Sequence, residues 1–168
     1  FRLAYTSGYE ALTYQIACFM LEQRHMLLKD ADPRMIALLS WHAAEEVEHK
    51  SVAFDVFQAV HGGYVLRVLG LLAAFASSLQ DIHALMYLTM KADGLLRDAE
   101  SKGRLRKVRR TMLTKLVPEF RHYLRPSYHP SQHADPSIIT AWLDQHDEGK
   151  DLRRLSSTLL EALTGSRT

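Results

Sequence analysis

Glu46 and His49 are the residues whose types and spacing point most directly to chemistry. They lie in Trp41-His42-Ala43-Ala44-Glu45-Glu46-Val47-Glu48-His49-Lys50, which has no Pro or Gly and repeats its apolar residues at helical spacing. On a helix, residues three apart share a face, and His42 and Ala53 fall on the same stripe. A carboxylate and an imidazole on a largely apolar helix are costly to bury unless paired or metal-bound. E-x-x-H is also the two-ligand unit of dimetal sites in helical bundles. The spacing alone leaves two readings open: paired or solvated helix residues, or ligands of a divalent metal.

Positioning such a pair needs a second helix, and residues 1–28 read as one. Glu10 interrupts its small and apolar face, four residues before Tyr14 and on the stripe of Ala17 and Leu21. Ala31-Asp32-Pro33-Arg34 is a turn and helix start, because Asp caps and Pro at the first position wastes no donor. The next helix is expected from Arg34 to His61, where Gly62-Gly63 stops it. A short link makes the two helices antiparallel neighbours. Counted from the link, Glu10 and the Glu46/His49 pair differ by only a few residues of axial rise. Glu22 and His25 form a second E-x-x-H, but Glu22 lies about 18 Å along the axis from Glu10. They read as a polar helix end.

Tyr64 to Leu79 is the most apolar run, and its helical pattern continues to about Leu96. A membrane span needs about 20 apolar residues; this run is shorter and holds Arg67, so a buried or interfacial helix is expected. Leu69, Leu72 and Phe75 are expected to pack against protein. Asp81 and His83 read as surface residues. Ser101-Lys102-Gly103 reads as a linker before the basic run of Arg104, Arg106, Lys107, Arg109 and Arg110, a solvated face or a surface for anionic lipid. Pro118 is expected to end or kink the following helix. Residues 124–136, with His122, His129 and His133 in or near them, read as a loop packed on the bundle. Short helices are expected at Ser137–Leu143 and Leu152–Leu163. The domain reading is a helical bundle core over 1–123, with 124–168 packed on the same domain.

The 168 residues are 47% apolar and 24% charged with net charge +2, which suits one ordinary domain and implies no acidic partner. The single cysteine, Cys18, excludes an internal disulfide and a Cys-rich zinc site; among Ile16, Ala17 and Phe19 it reads as an inert thiol. The chain starts at Phe1 inside a helical pattern and reads as a piece of a longer protein. A cytoplasmic setting, peripheral to a membrane, is the default.

The Trp41–Lys50 run, followed by Val52-Ala53-Phe54-Asp55-Val56-Phe57, resembles the signature of a bacterial family, the predicted metal-dependent hydrolases. Leu3 to Thr13, His61-Gly62-Gly63-Tyr64-Val65-Leu66-Arg67, Phe120, Tyr123-Leu124-Arg125-Pro126 and Tyr128-His129-Pro130 also resemble it. The resemblance implies an all-α, ferritin-like helical bundle, here without its N-terminal part. It implies that Glu10, Glu46 and His49 are half of a two-metal ligand set, with the other half upstream or on a partner chain. Ala11 stands where the family usually has His, which puts any role of that His in doubt here.

The expected activity is metal-dependent hydrolysis of an unknown small-molecule substrate, with one or two divalent ions (iron, manganese or zinc). A metal lowers the pKa of its bound water, and Glu45 or Glu48 is the candidate base or ligand orienter. The alternatives are a di-iron oxidase or oxygenase on the same ligands, and a non-catalytic helical module at a membrane surface. Homo-oligomerisation stays open; no nucleic acid is expected.

Overall fold

The computed structural model describes residues 1–28 and 31–137. Among them there are helices and turns and no strand, an all-α bundle. The helices are α1 (Arg2–Glu22), α2 (Arg24–Leu27), α3 (Pro33–His49), α4 (Val52–Val60), α5 (Tyr64–Ala92) and α6 (Ala99–Tyr123), with 3-10 turns at Leu95–Arg97 and Pro130–Gln132. The helices expected beyond Ser137 lie outside the described residues.

Helix boundaries differ from expectation where local hydrogen bonding overrides periodicity. The first helix is interrupted at Gln23. The signature helix breaks at Lys50 and Ser51, where the Lys50 N–H reaches back only to Val47 O. That three-residue step tightens the last turn. Both residues keep nearly helical dihedrals, so α4 continues in a related direction. Gly62 ends α4 in the left-handed region (φ 64), with its N–H bonded to Phe57 O at 3.0 Å; only glycine takes that conformation without steric cost. The expected linker at Ser101–Gly103 lies inside α6 instead. The Asp98 carboxylate accepts the Ser101 N–H at 2.6 Å, and this cap starts the helix ahead of Gly103. Pro118 does not end α6, which runs on to Tyr123.

The central element is α1, which packs against α3, α4, α5 and α6. Its crossing with α5 is closest. A Cβ on Gly70 would lie 2.3 Å from Ala4 C and O, and one on Gly8 would lie 2.6 Å from Leu71 Cα. Two glycines thus let two backbones touch. On another face of α1, Tyr14, Ala17 and Leu21 bury Ala43, Ala44 and Val47 of α3. A further core gathers Ala11, Phe54, Leu71, Tyr123 and Tyr128. Phe54 and Phe57 are the buried positions of α4, each contributing about 2 kcal/mol by burial. Of the three α5 residues expected to pack, Phe75 meets Phe120 at a ring distance of 5.8 Å, whereas Leu69 and Leu72 are exposed.

Arg67 of α5 is buried, 2% exposed, with Phe54, Tyr64, Tyr123 and Tyr128 rings at 5.2–5.8 Å from its guanidinium carbon. Its Nη2 donates to Arg125 O at 2.6 Å, just past the C-terminus of α6, where helix carbonyls concentrate negative potential. Planar stacking on rings suits guanidinium and not ammonium.

Two predictions follow from these contacts. Gly70→Ala must force α1 and α5 apart and should cost about 2–3 kcal/mol in urea denaturation; an unchanged midpoint would show that the crossing is not tight. Arg67→Lys should destabilise by about 3 kcal/mol, and more than Arg67→Met. Lysine keeps the buried charge without the stacking plane, and methionine removes the charge while filling the space. A lysine variant as stable as the parent would refute the stacking account.

Candidate metal centre

Glu10 sits on α1 in a stripe with Tyr14, Cys18 and Glu22, each one turn apart. It is half-buried. Across the α1/α3 seam lie Glu46 and His49, and both charges reach it. Glu10 is held above its ordinary value of 4.5, first by burial and then by the Glu46 carboxylate, while His49 pulls it down. Ala43 and Ala44 keep α3 close enough for this coupling. The Glu46 and His49 charges of α3 thus act on Glu10 of α1. Their arrangement is looser than a finished cage: among the described residues no group of three or more His, Cys, Asp or Glu is placed to hold a metal ion. The donor types, carboxylate and imidazole, do suit a divalent transition metal.

The neighbours of this trio divide into two sets. His42 Nε2 approaches Glu46 Oε1 at 3.6 Å, one turn earlier on α3, and so competes for that carboxylate. Glu45 is half-buried, whereas Glu48 and His49 are exposed. His49 is the last residue of α3. Glu22 is exposed at the far end of α1, away from the trio, as its axial distance requires.

A second polar constellation adjoins the seam. Lys50 Nζ donates to Asp135 Oδ1 at 2.5 Å and to His133 O at 3.2 Å. It also lies over the Tyr14 ring at 5.4 Å, and Tyr14 Oη donates to the same Asp135 oxygen at 3.2 Å. Burial above all, with Cys18 and Asp135 adding to it, pushes the Tyr14 phenol far up. Burial likewise pushes the Cys18 thiol up to about 11. His133 is lowered by burial and then by His122, whose ring stands 5.3 Å away. A cleft of about 600 Å³ opens here between α1, α6 and residues 133–136, with Tyr14, Cys18, Glu22, Glu119, His133 and Asp135 among its walls.

Sequence reasoning missed this set. Tyr14 carried a weak signal, one turn from Glu10, and Lys50 follows His49 directly. Asp135 carried none, since it comes from a distant loop. The loop histidines separate in the structure. His129 Nε2 lies 2.9 Å from Asp55 Oδ1, and its Nδ1 lies 2.7 Å from Ser131 Oγ and accepts the Ser131 N–H at 3.2 Å. His129 thus ties the loop to α4, while His122 and His133 meet ring to ring beside the cleft.

Comparison with curated proteins and with solved structures returns no match. One family model does match, that described as predicted metal-dependent hydrolase, over residues 1–134. This span includes α1 through α6, the Glu10–Glu46–His49 seam and all but the Asp135 end of the adjoining loop. The chain belongs to the predicted metal-dependent hydrolases.

Proposed function

We propose that the α1/α3 seam is the metal-holding side of a hydrolytic centre, with Glu10, Glu46 and His49 as the donors this chain contributes. The observation that supports it is Glu10: a carboxylate kept half-buried beside a second carboxylate, at a standing electrostatic cost that a cation would reverse. A divalent ion bound there would supply Lewis acidity and acidify a bound water. His42 would orient Glu46 through their contact. Glu45, half-buried on the same turn, is better placed than the exposed Glu48 to accept a proton. The substrate would enter by the adjoining cleft, where Tyr14 and the Lys50–Asp135 pair offer one hydroxyl and one ammonium for orienting polar groups.

Metal content of the purified protein tests the ligand assignment. Glu46→Ala and His49→Ala should each lose most of the bound metal, whereas Glu22→Ala should retain it. Equal retention by all three variants would sink the assignment.

The metal-free protein provides a second test. Glu10 is raised in the folded state, so the fold holds its proton to higher pH than the unfolded chain does. Ionising it costs stability as pH rises above about 4.5, and that cost is complete once pH has passed the raised folded-state value. Glu10→Gln should therefore be more stable than the metal-free parent at neutral pH, and the difference should vanish in acid. A parent that is the more stable of the two at neutral pH without metal would mean that Glu10 is structural.

A further inference from the structure

Helix α5 is long and apolar enough to cross a membrane, yet only 28% of its most apolar window is buried. In its first half one face packs on α1 and buries Arg67, while Val65, Leu69 and Leu72 are exposed. Its second half has no buried residue past Ser78: Ile82, Leu85, Tyr87 and Leu88 are exposed, Leu85 at 65% and Leu88 at 60%. Phe75 meets Phe120, and Arg67 binds Arg125 O, so α5 and α6 run antiparallel, joined by the turn at Leu95–Arg97. The second half of α5 and the first half of α6 are thus the two arms leading into and out of that turn. The α6 arm carries Arg104, Arg106, Lys107, Arg109 and Arg110, all exposed. From Lys91 to Arg110 there are eight basic and three acidic residues, net +5, in a chain whose total is only +2. The turn end joining α5 to α6 therefore carries the positive charge on one arm and exposed leucines on the other, while the rest of the sequence is net negative.

We propose that this hairpin end is a docking surface for an anionic lipid bilayer, with Ile82, Leu85 and Leu88 entering the interfacial region and Arg106, Lys107, Arg109 and Arg110 meeting headgroup phosphates. Basic residues next to an apolar helix face are the two components such a surface needs. A second copy of the chain fits less well, because a two-fold contact through this end would bring the two +5 segments together. Nucleic acid would satisfy the charge and leave the leucines in water. Because α1 packs on α5 and Arg67 is buried there, the attachment proposed is peripheral.

Co-sedimentation of the full chain with phosphatidylcholine vesicles, with and without phosphatidylglycerol, tests this. The chain should bind only the anionic vesicles and be released by high salt. Arg106→Glu/Lys107→Glu/Arg109→Glu should weaken binding about a hundredfold, and Leu85→Gln/Leu88→Gln should weaken it at low salt without altering the circular dichroism of the helices. If the triple variant does not fold, the salt and lipid dependence of the parent and the leucine variant decide the matter. Failure to bind anionic vesicles, equal binding to neutral ones, indifference to the leucine variant, or light scattering showing a dimer that Leu85→Gln dissolves would each overturn it. So would duplex DNA binding with no vesicle binding.

Discussion

A guanidinium without an ionic partner among the described residues governs how this bundle closes. Arg67 is surrounded by rings from α4, α5, α6 and the segment that follows, and its strongest hydrogen bond goes to a main-chain carbonyl just beyond α6. Desolvating such a charge is expensive. The aromatic faces and the carbonyl-rich helix end offset that expense without a carboxylate. They do so only in one arrangement, with the chain after Tyr123 turned back over α4 and α5. Tyr64 reinforces the turn by donating to Leu124 O at 2.8 Å. Everything the loop delivers, including His129 to Asp55 and Asp135 to Lys50, follows from that reversal.

The glycine crossing sets the complementary constraint. Because Gly8 and Gly70 let α1 and α5 meet backbone to backbone, α5 takes one face of α1 and leaves another for α3. The seam between α1 and α3 is packed through Ala17, Ala43 and Ala44, and the Glu46 and His49 charges act on Glu10 across it. Close approach on one side of α1 and a polar stripe on the other are thus parts of one packing solution. The cost of holding Glu10 there is tolerable because the seam is half-open to water, not sealed.

Much of this was legible in the sequence, for identifiable reasons. Helical period, the Asp32-Pro33 start and the Gly62 stop are local signals, and they located α1, α3 to α4 and α5. The antiparallel level argument put Glu10 within a few residues of axial rise of Glu46 and His49, since it needs only axial rise and a short link. What failed was equally physical. The breaks at Gln23 and Lys50 depend on single hydrogen-bond registers. The Asp98 cap outweighed the Ser-Lys-Gly composition of a supposed linker. Arg67 read as a flaw in an apolar run, because its partners are scattered over four segments. Tyr14, Lys50 and Asp135 could not be grouped, since one of the three arrives from the far end of the described chain.

The cleft beside the seam is walled in part by groups that burial has fixed in one protonation state. Tyr14 and Cys18 are pushed so far up that both stay protonated through the neutral range, and His133 is pushed down, toward its uncharged form. The phenol and the thiol stay uncharged when the surrounding pH drifts by a unit near neutrality. The thiol is also spared the ionisation that would make it nucleophilic or easily oxidised. That wall is therefore electrically quiet and chemically unreactive, so an electrophilic guest could rest against it without being captured there.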